Sequence, residues 1–88
     1  MKMKEGLLLT ENAGEFYIVP TGEAARVFSG FIRLNESGKV IYEALARGKE
    51  ADEIAADLMT AYEDLSPETA RRAVQDVMDQ LLTKGLLQ

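Results

Sequence analysis

The sequence predicts a small α+β fold, in which an antiparallel sheet of about three strands is followed by three helices. Aromatic and β-branched runs separated by turn residues fill the first third of the chain, as is typical of strands. From Asn35 onward apolar residues recur about every three and a half positions, as is typical of amphipathic helices. The 88 residues suffice for one hydrophobic core and are too few for two, so residues 1–88 are predicted to form a single domain.

The first two predicted strands form a hairpin. Leu7–Leu9 is a short apolar run, and Phe16–Val19 is aromatic and β-branched up to Pro20. Residues 11–15 supply the turn between these strands.

The segment after the hairpin is less clearly patterned. The alanines of Glu23–Phe28 favour a helix and its last two residues favour a strand, so we predict a loop or a short strand. Ser29 and Gly30 offer a turn before Phe31–Leu34, which is predicted to be the third strand.

Three helices are predicted after these strands. Asn35 is a suitable N-cap for the first, which Gly48 ends as a left-handed residue. The second runs from about Ala51 or Asp52 to Tyr62.

The third predicted helix is the longest. Ser66 caps it, Pro67 occupies its first position, and it continues to Lys84, after which Leu86 and Leu87 can fold back onto the core. Its wide apolar stripe consists of Ala70, Ala73, Val74, Val77, Met78, Leu81 and Leu82.

The amino-acid composition argues against most catalytic and metal-binding functions. The sequence contains no cysteine and no histidine, so the usual metal ligands and the common general base are missing, and neither cofactor nor metal is expected. A formal net charge of −5 disfavours nucleic acid and anionic membranes as partners. Three consecutive leucines near the N-terminus are too few for a membrane span or signal peptide, so a soluble cytoplasmic protein is expected.

No motif in the chain predicts catalysis. The glycines are scattered and form no phosphate-binding loop. The carboxylates of the second helix are interpreted as a solvated surface, and so are Asp76 and Asp79, although their spacing could bring them together. An enzymatic function therefore ranks last.

A β hairpin beside three helices is also the outline of a DNA-binding winged helix. The third helix carries two arginines, Arg71 and Arg72, against three carboxylates, and a net acidic helix is disfavoured in a groove lined by phosphates.

A strand edge beside the third helix is the feature that favours peptide binding. If Phe31–Leu34 is an edge strand, its free amides and carbonyls can pair with an added strand, which could be a peptide or a second copy of the chain. The side chains of Ile32, Leu34, Val77 and Leu81 are interpreted as core. Val74, Met78 and Leu82 lie toward one side of the stripe and are predicted to line a groove.

The sequence resembles the PqqD family of peptide chaperones and recognition elements over nearly its whole length. Residues 32–45 are similar to the family passage L-N-x-x-G-x-x-I-W-x-x-L, with Tyr42 where tryptophan is frequent. The later matching segments are Glu53–Leu58, Tyr62-Glu63, Asp76–Leu81 and Lys84–Leu87. Gly14–Pro20 and Gly22-Glu23 resemble a short stand-alone branch of the family.

The resemblance implies a winged-helix-like fold of three strands and three helices. It implies non-catalytic capture of a leader or precursor peptide as a strand added between the third strand and the third helix. It also implies presentation of that peptide to a modifying enzyme, often a radical SAM protein, in pyrroloquinoline quinone (PQQ) biosynthesis or another peptide-modification pathway.

In this model strand backbone groups bond the peptide, Val74 and Met78 take its apolar side chains, and Arg71 can meet an acidic residue. The complete predicted set is Phe31, Ile32, Arg33, Leu34, Arg71, Val74, Gln75, Met78 and Leu82. Homodimerisation through the same strand edge stays an open alternative.

Overall fold

The computed structural model describes residues 3–87 and confirms the α+β class, with strands first and three longer helices after them. The strands are β1 (Leu7–Asn12), β2 (Glu15–Pro20) and β3 (Ile32–Leu34). The helices are α1 (Ala24–Val27), α2 (Glu36–Ala46), α3 (Ala51–Ala61) and α4 (Pro67–Thr83).

The sheet is antiparallel with the order β1-β2-β3. The predicted hairpin is confirmed, and its turn consists of Ala13 and Gly14, whose φ angles of 55° and 82° are those of a tight hairpin turn. Alternation along the strands places Ile18, Ile32 and Leu34 on one buried face. The helices therefore cover one face of the sheet and the core lies between them.

The segment predicted as a loop or short strand, Glu23–Phe28, instead contains the one-turn helix α1. The turn closes when the Phe28 N–H donates to the Ala24 carbonyl at 3.0 Å, and Ala24 is fully buried. Its entry is held by Gly6, whose carbonyl accepts from the Thr21 N–H at 2.6 Å and hydroxyl at 2.8 Å. A Cβ on Gly6 would lie 2.6 Å from the Thr21 carbonyl oxygen, so this close approach requires glycine.

Both predicted N-caps are confirmed. The Asn35 Oδ1 accepts from the Gly38 N–H at 2.7 Å, which starts α2 directly after β3. The Ser66 Oγ accepts from the Thr69 N–H at 3.1 Å and starts α4. These two caps fix where α2 and α4 begin relative to the sheet.

The core extends from the sheet to the C-terminal residues. Its largest fully buried side chains are Ile18, Ile41, Ile54, Leu58, Val74, Leu81 and Leu86. The Lys4 N–H donates to the Leu86 carbonyl at 2.8 Å, and Met3 forms a bridge with Leu87, so Leu86 and Leu87 fold back onto the core as predicted. Within residues 3–87 no helix combines the length and the hydropathy needed to cross a membrane.

Tyr42 gives the fold a predictable response to alkaline pH. Its ring is buried on α2, and burial raises the pKa of its phenol above the ordinary 10.0. Because folding raises this pKa, the contribution to stability is complete below about pH 10 and is lost as the pH rises through the folded-state pKa.

We therefore expect Tyr42→Phe to lose less unfolding free energy than the unmodified protein between about pH 9 and about pH 12. Urea denaturation followed by circular dichroism at each pH measures this difference. The pKa values of Tyr17 and Tyr62 are also raised, but both residues are present in the two proteins compared. Parallel loss of stability in the two proteins would contradict the assignment to Tyr42.

Candidate functional site

Strand β3 is an edge strand with one open side. Among the described residues it pairs with β2 alone, Leu34 opposite Phe16 and Ile32 opposite Ile18. In an antiparallel edge strand alternate residues direct their amide and carbonyl groups away from the sheet. Within residues 3–87 no backbone hydrogen bond from a turn, loop or cap involves β3. These groups are therefore free to pair with an added strand.

A cleft of about 250 Å³ separates β3 from α4. Its α4 wall consists of Ala73, Asp76, Val77 and Gln80. The facing lining comes from β3 and the first turns of α2, including Leu34, Gly38 and Ile41. A Cβ on Gly38 would lie 3.2 Å from the Leu34 Cβ, so glycine allows α2 to start tightly against β3. The open strand edge thus faces a helix wall across a cleft.

A second cleft, of about 320 Å³, continues the first toward the hairpin turn. The two share Arg33, Leu34 and Asn35, and the second adds residues from the turn and the start of α2, including Glu15 and Glu36. We call the two clefts together the β3–α4 groove. It follows the C-terminal end of β3, so an extended chain laid there can contact both β3 and α4.

The charges on the groove are mostly carboxylates. The Arg33 guanidinium lies 3.6 Å from the Glu15 carboxylate, which also accepts from the Tyr17 hydroxyl at 2.6 Å. That hydrogen bond is the main reason why the pKa of Tyr17 is raised. Glu36 accepts from the Tyr62 hydroxyl at 3.3 Å. Asp76 forms no ion pair with any residue in the described range 3–87.

The predicted strand residues lie at the groove, but their side chains differ in role. Ile32 and Leu34 are buried, so at the edge they offer chiefly their backbone groups. Arg33 is exposed and lines both clefts. Phe31 precedes β3, is 60% exposed, and contacts the Tyr17 ring edge-on with the ring centres 5.3 Å apart.

The predicted α4 residues lie on a different flank of the helix from the groove. Arg71 and Gln75 line a cleft between α3 and α4 together with Asp52. Val74 and Met78 are 2% and 9% exposed and belong to the core.

Leu82 is exposed, and neither it nor any other predicted α4 residue is part of the groove lining. The structure thus brings together the predicted strand residues but not the predicted helix residues. Peptide contact by the helix residues stays a prediction.

On α4, the groove residues that the sequence does not predict to bind peptide are Ala73, Asp76 and Gln80, together with Val77, which is predicted to be core. The sequence interpretation places Asp76 on the solvated surface. In the structure Asp76 lines the groove, whereas Asp79 accepts from the Gln75 side chain at 2.7 Å on the other flank. In the sequence this flank is marked by the small residue Ala73 and the carboxylate Asp76 at the border of the apolar stripe, and in the structure Ala73 is half-buried.

Comparison with solved structures gives the same fold. The structure of TbiB1 in complex with the TbiA(beta) leader peptide matches with a TM-score of 0.77 and 22% sequence identity, over 100% of this chain and 95% of TbiB1. Comparison with curated proteins gave no match.

Comparison with family models supports the sequence resemblance. The model of coenzyme PQQ synthesis protein D (PqqD) matches residues 7–87, which include every strand and helix described above. This protein belongs to the PqqD family.

Proposed function

We propose that this chain acts as one non-catalytic domain that binds the leader segment of a ribosomal precursor peptide and presents it to a modifying enzyme. The observation that carries the proposal is the open side of β3 facing α4 across the groove. An extended peptide can continue the sheet there, with backbone hydrogen bonds for affinity and side-chain contacts for selectivity. The leader peptide in the TbiB1 complex and the PqqD family both support this function.

The proposed role leaves the chemistry to the partner. The chain has neither cysteine nor histidine, so it lacks a thiol nucleophile and an imidazole base, and we propose that its part in the pathway is to provide a binding surface. A radical SAM enzyme stays the predicted partner, as the family resemblance implies. The pathway, whether PQQ biosynthesis or another, is also a prediction from the sequence. A cytoplasmic location is a further one.

Peptide titration followed by NMR tests this function. The probe is each short peptide encoded by a reading frame beside this gene, synthesised and added to isotope-labelled protein. We expect one of them to shift the amide resonances of Ile32–Leu34 and of the α4 residues on the groove, because a strand added to β3 changes both environments. These α4 residues are Ala73, Asp76, Val77 and Gln80. Shifts confined to α3 and to Arg71 and Gln75 would overturn the groove as the binding site.

Homodimerisation through β3 is the second candidate, because an open strand edge can also pair with a second copy. Light scattering over a wide concentration range separates the two functions. We expect a monomer that binds peptide with one-to-one stoichiometry. A dimer that dissociates when peptide is added would show that the two compete for the same edge, and a dimer that excludes peptide would favour self-association.

A further inference from the structure

The chemistry of the groove wall limits which peptide segments it accepts. In a strand added to β3 every second side chain points toward α4, and these side chains are spaced by about 6.6 Å. Successive turns of α4 are spaced by about 5.4 Å. Where the added strand runs along α4, two neighbouring inward side chains therefore meet residues about one helical turn apart.

The α4 wall of the groove has an apolar row, Ala73 and Val77, beside a polar row, Asp76 and Gln80. Ala73 is small and half-buried, and with buried Val77 it forms an apolar surface with room for a guest side chain. Asp76 and Gln80 are exposed and provide a carboxylate and an amide on the same wall. An inward side chain over Ala73 thus meets an apolar surface, and the next inward side chain, one turn further along α4, lies level with the Asp76 carboxylate.

Charge on the groove favours a cation at the polar position. Three carboxylates, those of Glu15, Glu36 and Asp76, line it, against the single cation Arg33, which already lies 3.6 Å from Glu15. Within the described residues Asp76 has no ion-pair partner. The whole chain carries a formal charge of −5, so its long-range field also attracts a cationic segment.

Resting on the proposed function, we propose that the groove selects a peptide segment with an apolar residue and a lysine or arginine two positions apart. Both side chains face α4, the apolar one over Ala73 and Val77 and the cation against the Asp76 carboxylate. Asp76 is then a residue that determines specificity, and the substrate class is a cationic, amphipathic extended peptide.

Selection from a display library of random twelve-residue peptides tests this inference. We expect peptides enriched on the unmodified protein to carry Lys or Arg two positions from an apolar residue. On Asp76→Lys we expect Asp or Glu at the same position instead. Asp79→Asn is the matched control, because Asp79 is an exposed α4 carboxylate on the other flank, and it should enrich the same peptides as the unmodified protein.

Affinity measurements give the size of the effect. For the best enriched peptide, Asp76→Asn should weaken binding by about threefold to tenfold, as expected for a charge at the rim of an interface. The difference should shrink at high salt, which screens exposed charges.

The outcomes distinguish failure of the proposed specificity from failure of the proposed peptide binding. Two results would overturn the specificity and leave peptide binding at the groove intact. In the first, enriched peptides fail to bind Ala73→Phe but show no preference for a cation. In the second, they fail to bind Ala73→Phe but bind Asp76→Asn as tightly as the unmodified protein. If enriched peptides bind Ala73→Phe normally, the peptide site lies outside the groove and this inference fails. If no peptide is enriched, the proposed function and this inference both fail.

Discussion

Ala73→Phe should abolish peptide binding while the fold stays intact. Ala73 is half-buried on the α4 wall of the β3–α4 groove, so a phenyl ring there projects into the space that the guest strand would occupy. We expect a loss of at least about 100-fold in affinity, which corresponds to about 2.8 kcal/mol. Isothermal titration calorimetry with a peptide identified by the NMR titration measures the loss, and circular dichroism checks the fold.

Ala56→Phe is the matched control. Ala56 is exposed on α3 and lines a cleft between α3 and α4 that also contains Met59 and Arg71. The same substitution there places a phenyl ring beside the flank of α4 that faces away from the β3–α4 groove. Its affinity should stay within about twofold of the unmodified protein, because surface substitutions outside a site have small effects. The opposite result, with Ala56→Phe blocking binding and Ala73→Phe tolerated, would move the peptide site to the flank of Arg71 and Gln75.

The sequence could predict those parts of the fold that depend on local chemistry. Asn35 and Ser66 are capping residues wherever a helix begins, and both were identified correctly because a cap acts on amides only three residues away. The hairpin was predicted for the same reason, since its turn lies between two runs that pair with each other. Local rules also located the third strand to within one residue, Phe31 being outside it.

Long-range contacts were beyond these rules. The one-turn helix α1 depends on burial of Ala24 and on hydrogen bonds from Thr21 to Gly6, fifteen residues earlier. The composition of Glu23–Phe28 alone does not contain that information.

Which flank of α4 lines the groove also depends on long-range contacts. A helical stripe has two borders, and the sequence marks both: Val74, Met78 and Leu82 toward one, Ala73 and Asp76 toward the other. Which border faces β3 depends on how α3 packs against α4, and α3 occupies the flank of Arg71 and Gln75. Methionine on one border favoured the flank away from the β3–α4 groove, and in the structure Met78 contributes to the core rather than to an adaptable surface.

Leu81→Ala should destabilise the protein by about 2 to 5 kcal/mol, because it removes a fully buried side chain from the core and leaves a cavity. For a small domain this is a large fraction of a total stability of roughly 5 to 15 kcal/mol. Urea denaturation at pH 7, followed by circular dichroism, measures the free energy of unfolding.

Leu82→Ala provides the neighbouring control for this measurement. Leu82 follows Leu81 directly but is 40% exposed, so its truncation should cost less than about 1 kcal/mol. The same variant, titrated with peptide, also tests whether Leu82 contributes to binding as the sequence predicted.

The pair of leucine variants tests the orientation of α4, on which the groove depends. Ala73, Val77 and Leu81 are spaced by four residues, so they follow one another along one side of the helix. If Leu81→Ala and Leu82→Ala cost the same free energy, α4 would be rotated about its axis from the orientation described. That rotation would also carry Ala73 and Asp76 away from β3, and the open strand edge would then face a different wall.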